Sequence, residues 1–134
     1  MTSKGTLIRR GVRKRCAICA SGHLFDRWFV MKSHCPRCGT KFEREPGFFL
    51  GALFVNLALT EVPLFLWLAG ATLATIPNPS TRLLIGGSVV VCATVPVVLY
   101  PLSKTLWFAI HVAMQPLEPE EEAEAAATIF EQHQ

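Results

Sequence analysis

Two long apolar segments dominate the C-terminal two thirds of the chain. The first covers residues 48–76, and the second ends near residue 114. An α-helix rises 1.5 Å per residue, so about twenty apolar residues cross the hydrocarbon core of a bilayer, which is ~30 Å thick. The best windows of this length are residues 50–70 and 83–103. The pattern therefore predicts an α-helical membrane hairpin of two transmembrane helices within residues 47–114.

Few polar side chains interrupt the predicted spans, and three of them are candidates for an intramembrane site. Asn56 lies in the first span, and Glu61 is the only acidic residue of that span. In an antiparallel hairpin Glu61 lies opposite Pro96, and Tyr100 lies about one turn nearer the cytosol. An ionised carboxylate at mid-bilayer is costly unless it is paired, hydrated or protonated. Two hypotheses for Glu61 remain open: a site for a proton, a metal or a partner helix, and a protonated carboxyl hydrogen-bonded within the hairpin.

Prolines inside the predicted spans leave backbone carbonyls without an intrahelical donor. Pro96 and Pro101 kink the second span and free the carbonyls of Cys92 and Val97, and Pro63 kinks the first span in the same way. Cys92 is alone in the second span, and we expect it to be a small packing residue rather than a ligand.

Basic residues are distributed unevenly along the chain. Eleven of the thirteen Lys and Arg lie in residues 1–46, whereas the short connection between the spans carries only Arg82. The positive-inside rule places the N-terminus in the cytosol, and two spans return the C-terminus to the same side. Lys104 and Trp107 then mark the cytosolic membrane interface, where a lysine snorkels and a tryptophan joins the aromatic belt.

The two ends of the chain carry opposite charge. Residues 1–15 hold a basic cluster with no apolar h-region, so we do not expect a secretory signal. The cluster is a topology signal, an anionic-lipid contact or a nucleic-acid contact, and we favour the first two. Residues 115–134 are acidic and rich in alanine. We expect a solvated, mobile tail there, which could become helical when docked or fold back onto the basic end.

The most specific motif is a pair of C-x-x-C sequences in the basic N-terminal third. Cys16 and Cys19 form the first pair, and Cys35 and Cys38 follow after fifteen intervening residues. Two thiolates on one tight turn can reach the same ion, and two such turns complete the tetrahedron of a structural zinc site. Gly39 fits this interpretation, because the residue after the second thiolate often needs a positive φ. The spacing therefore predicts one structural zinc ion held by these four cysteines.

Other interpretations of the cysteines stay open in the sequence. Iron in place of zinc is poorly distinguished by ligand spacing. Disulfides are disfavoured because thiols stay reduced in the cytosol, and a thioredoxin-like redox pair is disfavoured because no βαβ pattern surrounds it. His23 or His34 could replace a sulfur ligand, although four cysteines suffice.

Residues 16–45 form a module that is too small to bury a sufficient core by itself. Metal must supply its folding energy, which is roughly 10–16 kcal/mol apparent for structural zinc in small peptides. The aromatic, β-prone stretch of residues 22–30 predicts one or two short strands, and hence a small zinc-ribbon-like β module. Four aromatic side chains are expected to cover the metal and one face of the ribbon: Phe25, Trp28, Phe29 and Phe42. Alternatively, Trp28 and Phe29 rest on the membrane interface or on a partner.

Several of these motifs occur together in one known family. They are Cys16-x-x-Cys19 followed by Gly22-His23-Leu24-Phe25, then Cys35-Pro36-Arg37-Cys38-Gly39, two apolar spans, and the ending Tyr100-Pro101-Leu102-Ser103-Lys104-Thr105-Leu106-Trp107. Over roughly residues 9–116 the chain resembles the bacterial family called domain of unknown function 983. Members often have proline where this chain has Ala17, a difference that should not affect metal binding.

The resemblance implies a small protein of the bacterial inner membrane with a cytosolic zinc-ribbon-like head. It implies no established activity. Some members are encoded beside genes for assembling haem-copper oxidases, which implies a role in the biogenesis of respiratory complexes or as an accessory subunit.

The sequence contains no nucleophile–base pair and no phosphate-binding loop, so we do not expect an enzyme. The favoured hypothesis is a non-catalytic scaffold, accessory or assembly factor of a larger membrane complex, embedded in lipid. One alternative is a metal-handling or thiol-redox factor for cofactor insertion. Another is a membrane-tethered regulator that binds nucleic acid or a soluble protein. A homo-oligomer is compatible with each hypothesis.

Overall fold

Four helices account for most of the chain in the computed structural model, which describes residues 2–134. They are α1 (Lys4–Val12), α2 (Leu50–Thr75), α3 (Thr81–Met114) and α4 (Pro119–Gln132). Helices α2 and α3 pack against each other as a hairpin, and α1 packs against α3. The Ser80 hydroxyl accepts a hydrogen bond from the Leu83 N–H and so caps the start of α3.

The hairpin has the length and composition that the apolar pattern predicts. Helix α2 has 26 residues and α3 has 34 residues, or about 39 and 51 Å at 1.5 Å per residue. Both helices are long and apolar enough to span a membrane, and the best 18-residue window of each has a mean hydropathy of 1.8 and 2.2, respectively. Large apolar side chains point outward along both helices. On α2, for example, Phe54, Phe65 and Leu73 are each more than 70% exposed. Such a continuous apolar surface is typical of helices that face lipid.

Two tryptophan–glycine contacts hold the hairpin together near its two ends. The Trp67 indole of α2 lies on Gly87 of α3, and the Trp107 indole of α3 lies on Gly51 of α2. Each indole occupies the space that a Cβ on the facing glycine would need. Helices in lipid associate mainly through close packing of this kind, since lipid tails offer no hydrophobic driving force between them.

The C-terminal end of α3 extends beyond the predicted span of residues 83–103, and its side chains lie in a buried core outside the hairpin. Phe108 and Ala109 are almost completely buried. Phe108 meets Phe42 edge-to-face, with 5.2 Å between the ring centroids. We call α1, the cysteine-rich residues 16–45 and this end of α3 the head. Its core consists of Leu7, Cys16, Ala17, Leu24, Cys35, Phe42, Phe48, Phe108, Ala109, Val112 and Ala113.

Helix α1 lies directly on α3 because Gly11 has no side chain. A Cβ on Gly11 would collide with Ala109 and with the backbone at Thr105. The buried Thr105 hydroxyl donates to the Gly11 carbonyl at 2.9 Å. The basic N-terminal segment is therefore partly structural, because it includes a helix fixed to α3.

The β-strands predicted in the cysteine-rich segment are not present. Within residues 2–134 the extended pairs are two isolated bridges, Phe25 with Met31 and His34 with Lys41. A positive φ of 59° at His23 interrupts the extended conformation just before the first bridge. The head is therefore a set of loops and tight turns packed on helices, and the structure does not show a β module.

The tryptophan–glycine contacts predict a position-specific effect of adding one methyl group. Gly87→Ala should displace the Trp67 indole and lower stability by about 1–3 kcal/mol, the usual cost of overpacking. Gly86→Ala is the matched control, because nothing lies within 4 Å of a Cβ at Gly86. Thermal unfolding in detergent should show a lower Tm for Gly87→Ala and an unchanged or higher Tm for Gly86→Ala. Equal Tm values would contradict the described packing of Trp67.

Candidate metal centre

Two turns of the same design carry the four cysteines. In the first, the Ala20 N–H donates to the Cys16 carbonyl, and the Cys16 N–H donates to the Ser21 carbonyl, both at 2.9 Å. In the second, Gly39 and Thr40 make the equivalent bonds with Cys35, also at 2.9 Å. The fifth residue of each turn has a positive φ, 60° for the alanine and 71° for the glycine.

The two turns have similar sequences, a repeat that the cysteine spacing alone does not reveal. Cys-Ala-Ile-Cys-Ala-Ser at residues 16–21 aligns with Cys-Pro-Arg-Cys-Gly-Thr at residues 35–40, with a small residue and then a hydroxyl residue at equal offsets. Gly39 was predicted to have a positive φ from its place after the second thiolate, whereas the positive φ of Ala20 was not predicted, and alanine seldom adopts that conformation. The alanine at position 20 is therefore under backbone strain that the turn imposes.

The four sulfur atoms lie close enough together to share one ion. All four are within 4.8 Å of one another. The Cys16 and Cys38 sulfurs are 3.7 Å apart, and those of Cys19 and Cys35 are 3.6 Å apart. These separations exceed a disulfide bond of about 2.05 Å, and all the cysteines are free thiols. A tetrahedron with Zn–S distances of about 2.3 Å has sulfur–sulfur edges of roughly 3.8 Å, so the arrangement fits a four-thiolate metal site.

The pKa values in the four-cysteine cluster indicate which thiols carry protons that a metal ion would displace. Hydrogen bonds with the Cys35 and Cys38 thiols, together with burial, raise the pKa of Cys16 far above its ordinary value. Burial raises the pKa of Cys19 to about 11. Hydrogen bonds from Cys16 and Cys35 lower the pKa of Cys38, so negative charge gathers on that sulfur. A divalent ion bound by four thiolates would displace the remaining protons, which makes metal affinity fall with falling pH.

Neighbouring groups support the two turns without entering the sulfur cluster. The Arg10 guanidinium donates to the carbonyls of Ala17 and Ile18 at 2.9 and 2.8 Å. The Thr40 hydroxyl lies 3.2 Å from the Cys38 sulfur. His34 instead pairs with the Ser33 hydroxyl at 3.1 Å. The donor set is therefore four cysteines, as predicted; such a set fits zinc and does not exclude iron.

Arg44 joins the head to α3 and α4, a role that the sequence did not reveal. It makes a two-pronged ion pair with Glu121, each N–O distance being 2.7 Å. It also lies 3.0 Å from the His111 ring nitrogen and donates to the Gln115 carbonyl at 2.8 Å. Its side chain is only 9% exposed. Arginine next to a carboxylate in this geometry is both strong and directional.

The acidic C-terminal segment, predicted as a mobile tail, forms helix α4 and docks on the head. Glu118 and Glu121 make a reciprocal capping box at its start. Ala125 is buried, and its carbonyl occupies the space that a Cβ on Gly39 would need. This is the docked, helical alternative that the sequence left open, and Arg44 supplies the basic contact.

The loop that carries Trp28 and Phe29 contacts the middle of α3. The Trp28 indole donates to the Val97 carbonyl at 2.8 Å, which is the carbonyl that Pro101 was predicted to free. Phe29 packs edge-to-face on Tyr100, and Lys104 donates to the Phe29 carbonyl at 3.2 Å. Trp28 and Phe29 are half exposed, so they do not cover the metal as predicted. Of the four aromatic residues, Phe42 is the one that lies in the core.

The three candidates for an intramembrane site, Asn56, Glu61 and Tyr100, line one groove, but no hydrogen bond joins them to one another. Asn56 donates to the Pro96 carbonyl at 2.9 Å, and Thr60 donates to the Asn56 carbonyl at 2.8 Å. Glu61 and Tyr100 line the same groove between α2 and α3. Glu61 is exposed, and no hydrogen bond joins it to Tyr100 in the described part of the chain.

One family comparison bears on this geometry. The model of a protein family described as "Protein of unknown function (DUF983)" matches residues 25–112. The chain belongs to this family. In this DUF983 protein the match contains Cys35, Cys38, α2 and nearly all of α3, and it begins after Cys16 and Cys19. No curated protein and no solved structure matches the chain.

The Arg44–Glu121 pair predicts that docking of α4 depends on pH. Arg44 holds the pKa of Glu121 below its ordinary range. A carboxyl with a lowered pKa contributes stability at neutral pH, and this contribution is lost as pH falls through the lowered pKa. Glu121→Gln keeps a capping group at this position but removes the charge. It should lower the hydrogen-exchange protection of α4 roughly fivefold at pH 7, equivalent to about 1 kcal/mol.

The control for this experiment is Glu120→Gln, a neighbouring exposed glutamate in the same helix. Protection of α4 should fall on acidification in the wild-type protein and stay low at both pH values in Glu121→Gln. Equal protection in the two variants would show that Arg44 does not hold α4.

Proposed function

We propose that this protein is an integral protein of the bacterial inner membrane whose zinc-bound head acts without catalysis. In this proposal the head and hairpin serve as an accessory or assembly factor of a larger membrane complex. The observation that supports it best is that the cysteine cluster and the end of α3 share one core. A metal ion there would fix the head on the hairpin.

The chemistry of the cluster supports a structural role. Four thiolates fill the coordination of a zinc ion and leave no position for a substrate. Cys16 and Cys35 are completely buried beside the side chains of the α3 core. Without metal, the raised pKa values of the buried Cys16 and the partly buried Cys19 keep these two thiols protonated. Zinc thiolate bonds would therefore contribute directly to folding of the head.

Charge and connectivity support a cytosolic head. Basic residues concentrate before α2, whereas residues 76–80 between α2 and α3 carry none and Arg82 follows in the first turn of α3. The positive-inside rule then puts the head in the cytosol. Helix α4 docks on the head through Arg44, so the C-terminal segment belongs on the same side. Trp28 and Phe29 contact Val97 and Tyr100, so in this orientation their side chains would enter the cytosolic end of the predicted span, deeper than Lys104.

The partner in this proposal is a membrane protein complex, and a respiratory oxidase is the first candidate. The family resemblance is the basis for that choice. The exposed apolar surface of the hairpin is large enough to meet both lipid and other helices.

One observation favours metal handling as a second candidate function. Cys19 and Cys38, one cysteine from each turn, are only partly buried. An accessible thiolate pair could pass a metal ion to a partner during cofactor insertion. This alternative requires a metal that exchanges readily, whereas a structural site requires one that does not.

Metal analysis and partner capture from the same samples test the proposal. The detergent-purified wild-type protein should hold one zinc per chain and retain a defined membrane complex. Cys35→Ser should lose both, because the head core loses its metal. Cys92→Ser is the control for zinc content, since Cys92 is an exposed thiol in α3 outside the cluster. Readily exchanged or sub-stoichiometric metal would contradict the structural role and favour metal handling.

A further inference from the structure

The hairpin has two grooves between α2 and α3, and their linings differ. One, of about 420 Å³, contains Asn56, Thr60, Glu61 and Tyr100 among its lining residues. The other, of about 470 Å³, is lined by apolar residues and Thr94. We call them the Glu61 groove and the apolar groove. Lipid tails can fill the apolar groove, but they offer no donor to a carboxylate.

The Glu61 groove follows the spacing of a helix-packing seam. Its α2 residues are Leu53, Asn56, Leu57, Thr60, Glu61 and Leu64. They recur at intervals of three and four, so they form one stripe on α2 over about 16 Å. Asn56 and Thr60 form its buried floor and are already hydrogen-bonded. The groove is therefore a long, preformed surface with one exposed acidic group.

Among residues 2–134, Glu61 has no ion-pair or hydrogen-bond partner. Within residues 2–134 the ion pairs are Lys32 with Asp26 and Arg44 with Glu121, and all four residues lie outside α2 and α3. The carboxyl of Glu61 also makes no hydrogen bond to the described residues. An acidic group that faces hydrocarbon without a partner is costly, and such groups usually pair with a cation or a donor.

We propose that the Glu61 groove binds a transmembrane helix of a different membrane protein, which places a Lys, Arg or His beside Glu61. This inference rests on the proposed function, because it requires α2 and α3 to lie in the membrane. Charge complementarity selects the occupant. A second copy of this chain would bring another Glu61 to the groove, and two like charges in a low dielectric repel. A basic residue on a different helix satisfies the carboxyl and gains its own counter-ion.

Photo-crosslinking in native membranes tests the groove directly. The full-length protein carries benzoylphenylalanine at position 57 in the Glu61 groove or at position 62 in the apolar groove. Leu57 and Val62 are 59% and 58% exposed, so the two probes are equally accessible. We expect a discrete heterologous adduct from position 57 and not from position 62. Peptide mapping should place the adduct in a transmembrane segment of the partner that contains a basic residue.

The role of Glu61 is tested in the same background. Glu61→Gln and Glu61→Leu should each reduce the position 57 adduct at least tenfold, and replacing the mapped basic residue of the partner by Met should do the same. The zinc content of each variant should stay at the wild-type level, which shows that the head remains folded. A Glu61→Gln variant that cross-links like the wild type would overturn the proposal, because charge would then be irrelevant.

Other occupants of the Glu61 groove would give different cross-linked products. A cross-linked dimer of this chain, adducts with lipid alone, or equal adducts from both positions would each overturn the heterologous helix. If wild type co-purifies with a membrane complex and Glu61→Leu has no effect, this inference fails and the proposed function stands. If the wild-type protein is extracted from membranes by alkaline carbonate, both fail together.

Discussion

The shared core of the head is the constraint on which the rest of the structure depends. Residues 16–45 of the head contain two isolated β-bridges in place of a sheet, so backbone hydrogen bonds alone would not keep the head folded. One end of α3 contributes four of the eleven residues of the head's buried core, and the four thiols of the cysteine turns lie within reach of one ion. A bound ion would fix the two cysteine turns relative to each other, and α3 provides the surface on which they pack.

This arrangement explains why α3 is longer than a single membrane crossing. About twenty of its residues suffice for the bilayer, and the remaining turns carry Phe108 and Val112 into the head core. A continuous helix transmits orientation from the head to the hairpin. The Arg44 contacts extend the same rigid unit to α4. A protein built in this way has fixed surfaces around its head, as the proposed docking role requires.

The sequence predicted features that depend on local spacing. The C-x-x-C pairs located the cysteine cluster, the apolar windows located α2 and α3, and Pro101 identified the Val97 carbonyl as lacking its intrahelical donor, which the Trp28 indole replaces. Contacts between distant positions were not predictable in this way. Arg44 meets Glu121 across 77 residues of chain, and the Trp67–Gly87 contact depends on the register of two helices. The β-strands were predicted from aromatic content, but tight turns and packing on α3 determine that backbone instead.

X-ray absorption at the zinc edge of the purified wild-type protein tests the central claim most directly. A closed structural site predicts four sulfur ligands at about 2.3 Å and no oxygen or nitrogen in the first coordination shell. Fewer than four sulfurs, with a light atom or water completing the shell, would contradict it. In that case the ion would have an open position, and the head would be equipped for metal transfer or catalysis rather than for docking.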